Sequence, residues 1–431
     1  MTRMTKSVLL ASAAAFLSTG LAATPGLAQE EILFWSTQAR PVEEAQAMRD
    51  DVLAGFDGAG AVNYQPQDQG PFLTRLEAEF ATDTGTIGLI GALHGDFTAL
   101  GNDNLVDLSS VDTASLGISD ALLELGRMGS DEQLYMPWMQ ATYIMAANRE
   151  ALPYLPDGAD INALTYEELI EWGQNMAEAE GSPKIGIPAG PSGLIHRFFQ
   201  GYLYPSFTDS MVTEFRSAEA EAMWETFLDL WAVTSPASPN YNFMQEQLLT
   251  GEVWVAFDHT ARLAEAFNER PEDFVAFPAP AGPTGRGFMP VLAGVAIPRT
   301  APDQTVSMDL TEFLLEPNTQ IATLRATNFF PVVDVELPAQ MPASVRASSA
   351  AIAAQSGSPD ANPGLLPVGL GDLGGQFNQV YTDTFQRIAL AGQDIRTVLD
   401  DQADTLRSIM DEAGAPCWAP DPPSDGPCPV N

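Results

Sequence analysis

The sequence predicts an α/β protein of two domains, on three observations. Strand-like and helix-like apolar patterns alternate along the chain, which implies sheets covered by helices on both faces. The alternation restarts in the second half. At 431 residues the chain exceeds one ordinary hydrophobic core and suits two. Hydrophobic residues make up 45% of it, enough to fill packed interiors.

Residues 1–28 stand apart. Arg3 and Lys6 precede an apolar run over 8–23, and Gly26 and Ala28 supply small residues before a cleavage point, the layout of a secretory signal peptide. Next come a strand over 31–35, a helix over 42–54, a strand over 61–64, a helix over 72–81 and a buried strand over 87–93. Ligands of open α/β sheets bind beyond the carboxyl ends of the strands, so loops 36–38, 65–70 and 94–97 are the first places for a site. A further buried strand, 141–147, leads through a polar loop to a capping box. There Thr165 accepts from the third helical amide and Glu168 reaches back to the cap amide. Leu169, Ile170, Trp172 and Met176 give the helix that follows, 166–178, its apolar stripe.

The second half reads as a short strand over 184–187 and striped helices over 194–203 and 218–232. A helix over 242–249 is stopped by Gly251, and a strand over 253–257 leads to a helix over 260–269. A last striped helix covers 306–315. The proline-rich tail, 416–431, has no periodicity and holds the chain's two cysteines, Cys417 and Cys428. In an oxidising compartment they are expected to pair, and so short a loop stabilises the tail by up to about 3 kcal/mol in the chain-entropy account.

Charge and motif content exclude whole classes of function. The net charge is −38, which repels phosphate backbones and anionic lipid and argues against nucleic-acid or membrane-surface partners. Lys184 is the single lysine beyond the signal segment, and an acidic, lysine-poor surface suits a saline medium that screens its self-repulsion. No window after the signal has the roughly 18 uninterrupted apolar residues of a membrane span, so no stable membrane insertion is expected. The chain has no nucleophile elbow, no zinc-type His-Glu-x-x-His and no phosphate-cradling glycine loop. No enzyme, cofactor or metal is expected.

Residues 136–180, MPWMQATYIMAANREALPYLPDGADINALTYEELIEWGQNMAEAE, resemble the central segment of family 1 extracellular solute-binding proteins, which capture sugars for ATP-binding-cassette importers. Further blocks share the likeness: Gly251-Glu252-Val253-Trp254, FPAPAGPTGRG at 277–287, VLAGVAIPRT at 291–300, Glu316-Pro317 and TNFFPV at 327–332. The resemblance implies a two-lobed periplasmic binding protein fold of type II, each lobe a mostly parallel sheet flanked by helices, joined by a hinge. Crossings are expected near Gln140, Arg286 and Pro331. The N-lobe would comprise 29–140 plus 287–331 and the C-lobe 141–286 plus 332–415. It further implies a periplasmic monomer that takes a carbohydrate and passes it to ABC permease subunits in the inner membrane. Two segments depart from the family pattern: IGLIGALHGDF at 87–97, where many relatives have Pro-Asp-Val, and FDHTARL at 257–263, in place of a small glycine loop. Both departures point to an unusual ligand.

A pyranose offers hydroxyls on its rim and C–H faces above and below, so its receptor needs carboxylates, amides or arginine beside aromatic rings. The expected contacts are Trp35 and Ser36 after the first strand, Asp68 and Gln69 after the second, and His94 and Asp96 after the third. Trp138 and Gln140 lie at the first crossing, and Asp258, His259 and Arg262 at a strand end and helix start. Gly294 would permit close backbone approach. Arg197, Arg262 and Arg325 admit a second reading, a charged solute such as a sulfonated or phosphorylated sugar or a polyamine. A third, a secreted glycoside hydrolase using Asp96 and Asp258, has no support from spacing.

Overall fold

The computed structural model describes residues 31–39 and 41–431, so the expected signal peptide lies outside the described residues. The strands are β1 (Glu31–Ser36), β2 (Ala61–Pro66), β3 (Ile87–Leu93), β4 (Met136–Ala141), β5 (Tyr143–Asn148) and β6 (Ile185–Gly186). They continue with β7 (Val255–His259), β8 (Phe274–Phe277), β9 (Arg286–Phe288), β10 (Val291–Ala296), β11 (Phe330–Pro331) and β12 (Ala361–Pro363). Two main sheets result, one of six strands in the order β11-β4-β10-β3-β1-β2 and one of four in the order β6-β7-β5-β8. β9 and β12 form a separate ribbon.

The sheets are mixed where mostly parallel ones were expected. β2, β1 and β3 form the parallel part of the N-lobe, linked by helical segments as parallel neighbours require. β10 enters that sheet directly from the other lobe, with no crossover helix, and runs antiparallel to both β3 and β4, its neighbours. In the C-lobe β5 lies antiparallel between β7 and β8 for the same reason.

The chain passes between the lobes at three places. β4 pairs in the N-lobe sheet and β5 in the C-lobe sheet, so the first passage is Thr142. Met289 packs in the C-lobe core while β10 belongs to the N-lobe sheet, which puts the second passage three residues beyond Arg286. After β11, Val332 and Val333 still pack in the N-lobe core, so the third passage falls beyond Pro331. Apolar anchors on either side set these points. The passages are tied together: Thr142 Oγ1 donates to Met289 O at 2.8 Å, and Gln140 Nε2 to Pro331 O at 2.9 Å.

The helix Tyr166–Glu180 shows how local sequence fixes an element. Thr165 Oγ1 accepts from Glu168 N at 3.2 Å, and Glu168 Oε2 accepts from Thr165 N at 2.9 Å. Its stripe buries Tyr166, Leu169, Ile170, Trp172 and Met176, each large side chain worth about 1.5–3 kcal/mol. Trp172 Nε1 donates to Ala151 O at 2.8 Å. Gly181, at φ 73°, ends the helix in the left-handed region open to glycine.

The tail is pinned to the C-lobe. Cys417 and Cys428 are joined by a disulfide. Between them the Asp421 carboxylate accepts from the amides of Met211, Val212 and Thr213 at 2.8, 3.0 and 2.7 Å. Leu365 N donates to Ala419 O at 2.9 Å, which fastens the tail to the segment that runs to the cleft. Among the described residues no helix is long and apolar enough to cross a membrane.

Candidate functional site

A cavity of about 420 Å³ opens between the lobes. The N-lobe lines it with Thr37 and Gln38 from the turn after β1, Gln69 from the start of the helix Gln69–Thr82, and Gly95 and Asp96 from the helix His94–Leu100. These are the turns beyond the carboxyl ends of three parallel strands, where backbone amides and short polar side chains converge. The C-lobe contributes Arg197, Asn378 and the stretch from Leu366 to Gly375.

Asp96 organises the N-lobe wall. Its carboxylate accepts from Leu93 N at 3.2 Å, as the third residue of its own helix, and from Thr37 Oγ1 at 3.2 Å and Gln69 Nε2 at 2.5 Å. Burial pushes this carboxyl above its ordinary range, against those hydrogen bonds and the field of Arg197. On the C-lobe wall, the half-buried Arg197 donates through Nη1 to Gln200 Oε1 at 3.0 Å. Gln200 Nε2 in turn donates to Asn378 Oδ1 at 3.0 Å, leaving the Asn378 amide hydrogens for the cleft. Burial lowers the Arg197 pKa, and the nearby Tyr143 and Asp96 act in the opposite sense. A cation and a carboxylate thus stand on opposite walls.

A model of the bacterial extracellular solute-binding proteins matches residues 48–348. The chain belongs to this family. This solute-binding protein is similar in fold to the sugar-binding protein MalE from the phytopathogen Xanthomonas citri, at 15% identity and a TM-score of 0.69, covering 88% of this chain and 97% of that one. It is similar to the cyclic alpha-maltosyl-1,6-maltose binding protein from Arthrobacter globiformis, at 17% identity and a TM-score of 0.65, covering 88% and 98%. UgpB from Mycobacterium tuberculosis, in complex with glycerophosphocholine, matches at 19% identity and a TM-score of 0.66, covering 89% and 99%. At such identities the likeness shows the fold alone. No curated protein matches it by sequence.

Of the contacts expected from its sequence, the solute-binding protein brings Gln69 and Asp96 to the cleft. Asp68 is exposed and immediately precedes the helix Gln69–Thr82. Both tryptophans are corrected to core residues. Trp35 is 6% exposed beneath the Arg75 guanidinium, 4.6 Å from its ring, and Trp138 is fully buried 5.6 Å from Phe34. Strands covered on both faces leave no open side for such rings. Ser36 is fully buried beneath the turn, where its Oγ accepts from Gln38 N at 3.0 Å.

His94 turns from the cleft to Tyr135, Nδ1 to hydroxyl 2.7 Å, and burial brings its pKa down to about 4. Gly294 serves packing: a Cβ there would lie 2.2 Å from Tyr135 Cδ2. Gln140 faces a different cavity, beside the crossings, and donates to Pro331 O. Arg325 is exposed on the helix Pro317–Thr327, away from the cleft lining.

The Asp258 cluster is scaffold. β7 runs to His259, two residues past its expected end, so Asp258 is a strand residue opposite Ile144 and fully buried. It accepts from Met244 N at 3.0 Å and His259 N at 2.8 Å, with Arg262 Nη1 3.8 Å away. His259 Nδ1 accepts from Ala261 N at 3.3 Å, capping the helix Thr260–Glu269, and its ring lies against Tyr143 and Phe329. Arg262 stacks on Phe243 and donates to Asn242 O at 3.1 Å.

Thr37 and Gln38 were anticipated only as part of loop 36–38, and Asn378 was missed. Asn378 carries no local signal, since it reaches the cleft only through its bond to Gln200, 178 positions earlier. Arg197 had one: a cation inside the apolar, aromatic run IHRFFQGYLY.

Proposed function

We propose that this solute-binding protein captures a carbohydrate between its lobes and delivers it unchanged to the permease subunits of an ABC-type importer. Export by the N-terminal segment would place it in the periplasm, where it acts as a monomer. One observation carries the reading: a single cavity, within the roughly 300–1,000 Å³ range of small-molecule sites, takes polar groups from both lobes. A solute held there bridges the lobes and favours their closed arrangement, which presents a joined surface to a permease. Hydroxyl, amide, carboxylate and guanidinium groups suit a polyhydroxylated solute, and MalE and the cyclic maltose-binding protein are sugar-binding by name.

A thermal-shift screen of neutral sugars, sugar acids, sugar phosphates, polyols and polyamines tests it. A solute at 100 times its Kd stabilises the fold by about 2.7 kcal/mol, which raises the melting temperature measurably. Stabilisation by polyamines alone, by no polyhydroxylated compound, or turnover of a bound sugar would overturn the proposal.

A further inference from the structure

Resting on that reading of the cleft, we propose that the solute is a small polyhydroxylated acid whose carboxylate, phosphate or sulfonate group docks on Arg197. Among the described residues no aromatic ring lines the cavity, so the C–H faces of a neutral sugar find no stacking partner there. Affinity must then come from polar contacts, and charge-assisted hydrogen bonds are roughly twice as strong as neutral ones.

Arg197 has that capacity to spare. Its planar guanidinium holds five N–H donors in a fork that matches an oxyanion bidentately. Among the described residues one hydrogen bond is made, to Gln200, and no carboxylate comes within 4.0 Å. Asp96 on the facing wall does not fill the fork, because its oxygens are engaged by Gln69, Thr37 and the Leu93 amide. Arg197 is also held in place. Its neighbours Phe198 and Phe199 are fully packed, and Gln200 is fixed between it and Asn378. With the Gln38 and Gln69 side-chain nitrogens already donating to Thr37 and Asp96, their side-chain oxygens and the Asn378 amide hydrogens remain for hydroxyls.

The test is calorimetry on the purified protein with matched pairs: D-galacturonate and D-galactose, D-gluconate and D-glucitol, glycerol 3-phosphate and glycerol, 6-deoxy-6-sulfoglucose and D-glucose. In at least one pair the acid is expected to bind tenfold or more tighter than its neutral partner. Arg197→Gln should reduce that acid's affinity thirtyfold or more, towards the neutral partner's, while Arg197→Lys keeps part of it. Which pair responds identifies the oxyacid. Neutral members binding as tightly as their acids in every pair that binds would overturn the inference and leave carbohydrate capture standing. Binding by no member would overturn both. Should Arg197→Gln fail to fold, the acid-to-neutral ratio of the unaltered protein still decides.

Discussion

Asp258 and His94 show how burial converts single side chains into pH-dependent stability. Burial raises the Asp258 carboxyl to about 7, with Arg262 and the His259 and Met244 amides working against the rise. The folded state therefore keeps a proton that the unfolded chain releases near pH 4. The stability this group contributes is complete below about pH 4 and is lost as pH rises towards 7. His94 has the opposite sign: held down to about 4, it contributes stability that is lost as pH falls from about 6.5 through 4. Melting curves between pH 4 and 8 separate the two. The margin of the unaltered protein over Asp258→Asn should shrink as pH rises, and its margin over His94→Gln should shrink as pH falls. Margins that stay flat would mean that neither group changes its protonation on folding. Neither environment was legible in the sequence, because each depends on a distant partner: Tyr135 lies 41 positions from His94, and β5 covers Asp258 across the sheet. The two tryptophans teach the same lesson, since a place at a strand end or a crossing does not tell whether the ring is covered.

Legibility among elements follows the sequence range of the interactions that make them. The helix Tyr166–Glu180 could be read because its cap, stripe and terminating glycine all lie within about twenty residues. The mixed sheets could not, since the direction of β10 and β5 depends on where the chain arrives from the other lobe. The tail falls on both sides of this line. Its cysteine pairing was legible, whereas the seat of Asp421 was not, because Ser210, its hydroxyl partner at 2.5 Å, stands 211 positions earlier. The carboxylate satisfies three consecutive amides, so Asp421→Ala leaves buried donors unpaired at a cost of at least about 2 kcal/mol. Urea unfolding should show that loss, with faster proteolysis near the tail. Unchanged stability would mean that water replaces the carboxylate without penalty and that the disulfide alone holds the tail.

At the scale of the molecule, the two-lobed fold and the family were legible because each block of the resemblance needed only local residues. The contacts between the lobes were not. The N-lobe helix His94–Leu100 meets the C-lobe stretch Pro367–Gly369: Gly369 N donates to Thr98 Oγ1 at 3.1 Å, and a Cβ on Gly95 would lie 2.4 Å from Pro367 O. Glycine at 95 is thus what lets the lobes approach at this edge of the cleft. A valine there holds them apart, and a solute must supply the free energy of closure against that obstacle, which weakens its apparent affinity. Small-angle scattering should show the unaltered protein becoming more compact when a solute from the thermal-shift screen is added. Gly95→Val should stay extended and bind that solute at least tenfold more weakly, with little change in the melting temperature of either lobe. Equal compactness with and without bound solute in the unaltered protein would rule out closure as the means of delivery. Compaction of Gly95→Val to the same degree would instead show that this edge is not where the lobes limit one another.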